Sequence, residues 1–209
     1  MRIKICGLTK LAQARAIASL GVDSLGFICF PPSPRYLDVA NLKHITNGIK
    51  TATRKIGVFV NSDAQEISQV VQETNLTGVQ LHGKETPEFC KSLRKLLPTI
   101  ELIKAIRVRN LASLLETEIY FSCVDTLLLD AYHPNFWGGT GETLNWEQLA
   151  LFCPPIPWLL AGGLTPENIL TALEQANPDG IDLSSGVERS PGDKDLAKVS
   201  KLLAVLDNY

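Results

Sequence analysis

Short apolar runs alternate with longer amphipathic stretches along the whole chain. Runs with strand character lie at 2–6 (RIKIC), 24–30 (SLGFICF), 54–61 (RKIGVFVN), 78–82 (GVQLH), 101–108 (ELIKAIRV), 125–131 (DTLLLDA), 157–162 (PWLLAG) and 180–185 (GIDLSS). Each leads into a stretch of helical period, such as 10–20, 63–75 or 194–207. Strands that alternate with helices pair in parallel through crossover helices. Eight such units predict an α/β fold, a closed (β/α)8 TIM barrel forming a single domain over residues 1–209. The main alternative is an open doubly wound sheet. That fold usually carries a GxGxxG turn after its first strand, whereas the turn here, CGLTKL, has one glycine.

The period of two within strands sorts their faces. In the first strand, Ile3 and Ile5 point one way, and Lys4 and Cys6 the other. In the fourth, Val79 and Leu81 oppose Gln80 and His82; in the eighth, Ile181 and Leu183 oppose Asp182 and Ser184. The apolar set is expected against the helices and the polar set towards the barrel axis. The last residues of the strands then include Cys6, Asn61, His82, Asp130 and Ser184. A barrel interior needs only bulky apolar filler, and barrel active sites lie at the C-terminal strand ends. Any one of these residues alone reads equally well as solvated at the mouth; several at one end favour a site. Gly7 turns the chain away beside Cys6 and is expected to leave room there for a substrate.

Three glycine-rich segments follow the last three strands: GGTG at 138–141, AGGLTPEN at 161–168 and DLSSGVE at 182–188. Thr165 with Pro166 predicts a helix start. Gly162 and Gly163 permit close approach to the backbone, and Ser184, Ser185 and Gly186 add hydroxyls and amides. Loops after strands 7 and 8 commonly hold phosphate in barrels, so a barrel of the phosphate-binding type is expected. The loop FPPSPRYL at 30–37 is stiffened by prolines and presents Arg35. Taken alone, that arginine reads as an ordinary surface residue.

Composition narrows the function classes. The apolar fraction is 45%, the charged fraction 20% and the formal net charge −2 over 209 residues, as in an ordinary soluble protein. No basic field calls for nucleic acid or an anionic membrane. No run reaches the roughly 18 apolar residues of a membrane span. The five cysteines (6, 29, 90, 123 and 153) are scattered and odd in number, which argues against a disulfide framework or a zinc site. A reducing, cytoplasmic setting is expected.

The ordered set KICGLT, GFICFPPSPRYL, GVFVN, QLHGKE, LLLDA, GGTGETLNW, LAGGLTPEN and IDLSSGVERSPGDKD spans the chain. Together these motifs resemble the phosphoribosylanthranilate isomerase family, barrel enzymes of tryptophan biosynthesis. Leu144-Asn145-Trp146 departs from the family's usual Phe-Asp-Trp. The resemblance implies an aldose–ketose isomerisation, the Amadori rearrangement of N-(5-phosphoribosyl)anthranilate, with no cofactor and no metal. It implies Cys6 as general base, Asp130 as general acid and Arg35 as the anchor for the anthranilate carboxylate. The amides around Gly162, Gly163, Ser185 and Gly186 are implied to hold the phosphate. Asp182 is implied to reach the sugar hydroxyls or brace the site. His82 is implied either to line the pocket or to be a packed or solvated histidine. Lys4, two residues before Cys6, reads as a cation that lowers the thiol's pKa or, preferably, as a buried partner of Asp182. The only expected partner is the small-molecule substrate, with no nucleic acid or membrane, in a monomer or homodimer. The same residues leave two rivals open: an isomerase of the histidine-pathway type, which uses aspartates at both catalytic positions, and a barrel that only binds sugar phosphates.

Overall fold

The computed structural model describes residues 1–108, 110, 112–131 and 146–207. Eight parallel strands close into a barrel in sequence order. They are β1 (Arg2–Ile5), β2 (Ser24–Ile28), β3 (Arg54–Phe59), β4 (Gly78–Leu81), β5 (Glu101–Val108), β6 (Thr126–Ala131), β7 (Trp158–Leu160) and β8 (Gly180–Leu183). Closure pairs β8 with β1, placing Lys4 against Asp182 and Ile5 against Leu183. The described helices are α1 (Leu11–Ser19), α2 (Val39–Gly48), α3 (Ala64–Thr74), α4 (Pro87–Leu96), α5 (Ala112–Leu115), α6 (Ile169–Ala176) and α7 (Leu196–Leu206). No described helix is long and apolar enough to cross a membrane.

Local chemistry explains where the helices begin. Asp38, Asp63 and Asp195 each accept a backbone N–H of the first turn behind them, satisfying donors that a helix start leaves open. Thr86 does the same for α4, with Pro87 at the first helical position. The pattern-based boundaries hold to within about two residues for most strands, the usual margin of terminal fraying. Three details differ from the sequence reading. The segment after β5 condenses to the single turn of α5 and a 3-10 turn (Glu118–Tyr120). A two-stranded hairpin, β9 (Glu188–Ser190) with β10 (Asp193–Lys194), is inserted before α7. The regular part of α6 starts at Ile169, later than Thr165 suggests. Thr165 still organises the entry: its carbonyl accepts from Asn168 and Ile169, and its hydroxyl from Glu167.

The alternating faces fall as the pattern predicts. Ile5, Val79, Leu81, Ile181 and Leu183 pack outward with the helices in one core cluster. Inside the barrel, Ile56, Ile103, Ala105, Leu128, Leu159 and Ala161 form a separate apolar layer. Burying one such aliphatic side chain contributes about 1.5–3 kcal/mol.

Below that layer, at the N-terminal end, the filler is ionic. Arg2 pairs with Glu101 and donates to Ser24; Arg54 and Thr126 also reach Glu101. At the same rim one device recurs four times. The residue just before each even-numbered strand accepts a backbone N–H from the preceding odd one: Asp23 from Ile3, Thr77 from Lys55, Asp125 from Leu102 and Asp179 from Trp158. Each hook satisfies an end-of-strand donor and pins the register of one strand pair.

Candidate active site

At the opposite end, the C-terminal rim gathers a dense polar set in two groups. The first is built on β1 and β8. Cys6 is buried just past the end of β1. Lys4, fully buried one inward position below, donates to both carboxylate oxygens of Asp182 at 3.0 Å. That bears out the reading of Lys4 as the partner of Asp182. Burial alone would lower the Lys4 pKa, but the carboxylate outweighs it and the ammonium is held above its ordinary value.

Gly26 of β2 makes this packing possible. A Cβ there would lie 2.5 Å from Cys6 Sγ and 3.0 Å from Lys4 Nζ. An inward glycine in a strand often marks such close approach; that was the available signal in GFICF, and the sequence reading missed it. Burial pushes the Cys6 thiol above its usual value. Lys4 and Lys194 pull it down and Asp182 pushes it up, and burial prevails. The nearby cation therefore moderates the thiol's rise without reversing it.

Gly7 has φ +79°, a left-handed conformation that favours glycine. The space beside it is filled, contrary to the expectation that it is kept for substrate. A Cβ at Gly7 would lie 2.6 Å from Arg35 Cδ. Arg35 thus crosses directly over the turn that follows the thiol. Its guanidinium forks onto Glu188, with Nε 3.0 Å from Oε1 and Nη2 2.7 Å from Oε2. The third nitrogen, Nη1, has no hydrogen-bond partner among the described residues. Glu188 also accepts from fully buried Lys194 at 2.8 Å and from the Gly192 amide. Burial opposes ionisation of Glu188, but Arg35 and Lys194 together hold its carboxyl below the ordinary range. Two cations around one carboxylate leave a net positive charge here. Neither Glu188 nor Lys194 stood out in SSGVERSPGDKD, because only the hairpin β9–β10 folds them back to the rim.

The second group is built on β4 and β6. Asp130 is buried on the inner face of β6, and His82 Nε2 lies 3.3 Å from its Oδ2. His82 is buried rather than solvated. Its Nδ1 is 2.9 Å from Gln80 Nε2, one inward position deeper. Asp182 feels the charges of Lys4, Asp130 and His82 and so links the two groups. Asn61 has a different job from its neighbours. Its backbone has φ 54°, its side chain accepts from Lys84 N and its own N–H donates to Glu85. Glu85 is in turn bonded to buried Lys104 at 2.8 Å. Asn61 pins the loop after β4.

The glycine-rich loops after β7 and β8 lie against each other. Gly162 and Gly163 both take positive φ, at 88° and 64°. A Cβ at Gly186 would overlap the Leu164 carbonyl oxygen, so only glycine allows the two loops to meet. Ser185 and Gly186 lie in a 3-10 turn (Ser185–Val187), and Asn168 ties the first loop together by donating to the Gly163 carbonyl. The GGTG segment at 138–141 and the Leu144-Asn145 variation lie outside the described residues. Among the described residues, no cluster of His, Cys, Asp and Glu is arranged to hold a metal ion.

Comparison with known proteins agrees with this fold. Residues 3–205 match the family model for N-(5'phosphoribosyl)anthranilate (PRA) isomerase. The N-(5'-phosphoribosyl)anthranilate isomerase of Trichormus variabilis is 59% identical over 206 residues, covering 99% of this chain and 98% of that protein. The crystal structure of phosphoribosyl anthranilate isomerase from Thermotoga maritima superposes with a TM-score of 0.90 at 32% identity, over 100% of both chains. A phosphoribosyl anthranilate isomerase solved in complex with reduced 1-(o-carboxyphenylamino)-1-deoxyribulose 5-phosphate superposes with a TM-score of 0.87 at 31% identity, again over 100% of both chains.

Proposed function

The chain belongs to the N-(5'-phosphoribosyl)anthranilate isomerase family, and from that premise we propose that Cys6 and Asp130 carry the two proton transfers of its reaction. The enzyme converts an aminoaldose, N-(5-phosphoribosyl)anthranilate, into the aminoketose 1-(2-carboxyphenylamino)-1-deoxyribulose 5-phosphate. Asp130 gives a proton to the ribose ring oxygen as the C1–O bond breaks, and the open chain becomes a protonated Schiff base. Cys6 takes the proton from C2. The electron pair moves to the C1–C2 bond and neutralises the nitrogen, leaving an enolamine. Tautomerisation to the ketone returns a proton to carbon, so the product is an isomer and nothing is oxidised from outside.

The observation that carries this assignment is the shared burial of Cys6 and Asp130 on the inner face of one barrel end, with Asp182 electrostatically coupled to both. The buried thiol starts with a raised pKa. The iminium formed on ring opening supplies a positive charge beside it at the moment the base is needed, which favours the thiolate. Arg35, oriented by Glu188, offers Nη1 to the anthranilate carboxylate. The amides at Gly162, Gly163, Ser185 and Gly186 take the phosphate, and the Asp182–Lys4 pair faces the sugar.

The test is steady-state turnover of substrate generated in place. General acid–base groups contribute about 10²- to 10⁴-fold. Cys6→Ala and Asp130→Asn are each expected to lower kcat by at least about 100-fold while circular dichroism stays unchanged. A variant that retains turnover within a few-fold of wild type removes that residue from the mechanism.

A further inference from the structure

Besides Trp146 Nε1, the described buried side-chain atoms that make no hydrogen bond are Gln80 Oε1 and His82 Nε2. Both belong to the β4 edge of the site, and they are parts of one chain of contacts. Gln80 is 1% exposed and lies between Val58 and Ile103 of the neighbouring strands. Its amide NH2 faces His82 Nδ1 at 2.9 Å. An amide nitrogen only donates, so Nδ1 must accept and the ring proton must sit on Nε2. The opposite amide orientation would strand two N–H donors in the barrel interior. Orphaned buried donors are rarer than under-satisfied carbonyls, so the geometry favours the first arrangement. Nε2–H then lies 3.3 Å from Asp130 Oδ2, close but not aligned as a hydrogen bond.

We propose that Gln80 is a positioning residue, which holds His82 as the neutral Nε2–H tautomer so that this N–H can stabilise the Asp130 carboxylate formed during ring opening. The proposal rests on Asp130 being the general acid. In that step the Asp130 proton goes to the ring oxygen, which also receives the C1–O bonding pair. Negative charge appears on Asp130, near Asp182, another carboxylate, whose own charge Lys4 already occupies. His82 donates a hydrogen bond to the new charge without giving up its proton. A contact incomplete in the resting site and completed as charge develops lowers the barrier and does not merely bind substrate.

Two measurements test this. Nitrogen-15 NMR of the histidine rings in the wild-type protein at neutral pH reads the tautomer directly and needs no variant. The expected result is a protonated Nε2 and an unprotonated Nδ1 at His82; the Nδ1–H tautomer or a cationic ring overturns the proposal. In kinetics, Gln80→Leu is expected to lower kcat by about tenfold with KM within about twofold, the scale of one hydrogen bond. In a His82→Asn background the same change is expected to cost nothing further. An equal loss in both backgrounds would mean that Gln80 only supports the fold, and overturns it. Full turnover by Asp130→Asn would overturn the acid assignment and this proposal with it, whereas the wrong tautomer overturns this proposal alone.

Discussion

At the scale of single residues, the site turns on how burial and charge compete at Cys6. Burial raises the thiol's pKa and Lys4 offsets only part of the rise. An acid held above its ordinary pKa is mostly protonated at neutral pH, and its base form grows about tenfold per pH unit until that pKa is reached. The expected outcome is that the rate at which a small alkylating agent modifies Cys6, read as the difference between wild type and Cys6→Ala, climbs with pH from neutrality to at least about pH 9, the thiol's ordinary range. A rate already level above pH 7 would show that the thiol is not held protonated by its burial. Much of this chemistry was legible in the sequence, because a period of two is enough to put Lys4, Cys6, His82, Asp130 and Asp182 on the inner face. The partners of Arg35 were not legible. Glu188 and Lys194 lie more than 150 residues further along the chain, and no local pattern encodes so distant a meeting.

At the scale of elements, the strand ends carry chemistry only because loops of particular shape hold them. Leu164 and Gly186 meet where a single methyl group would collide with backbone, and backbone cannot swing aside as a flexible side chain can. Gly186→Ala is therefore expected to part the loops after β7 and β8, raising KM by about tenfold or more if two phosphate contacts of roughly 1 kcal/mol each are lost. Substrate titration of the variant checks this, and an unchanged KM would remove these loops from phosphate binding. The sequence marked both loops by their glycines. It did not show that one glycine serves the other loop, nor that α6 begins after an irregular turn. Thr165 and Pro166 form a strong start signal, but Asn168 binds back to Gly163 and Thr165 and delays the helix.

At the scale of the molecule, the count and order of strands came straight from hydrophobic period, since eight repeats of one pattern leave few topologies open. What period cannot reveal is the buried ionisable load. Burial raises the pKa of Cys6, and pushes Cys29 and Cys90 up to about 12. Above the unfolded thiol value of 9.0 these groups ionise when the chain unfolds and stay protonated when it is folded. The unfolded state then binds fewer protons, so stability is intact below pH 9 and falls above it. Each thiol steepens the fall by up to about 1.4 kcal/mol per pH unit. The urea midpoint is expected to be level from pH 7 to 8.5 and to drop clearly by pH 10. A level midpoint throughout would mean that these thiols ionise as easily in the folded chain as outside it.

The four hooks at the N-terminal rim bind β1 to β2, β3 to β4, β5 to β6, and β7 to β8. Three contacts of the site obey the opposite rule. Lys4 reaches Asp182, Arg35 reaches Glu188 and His82 approaches Asp130, each spanning two different strand pairs. The hooks thus stay within four modules, whereas these three contacts cross the seams between them. Exchange of a whole module between related barrels would keep its hook and redraw only the seams. Such a barrel can acquire new chemistry by recombination without first surrendering its architecture.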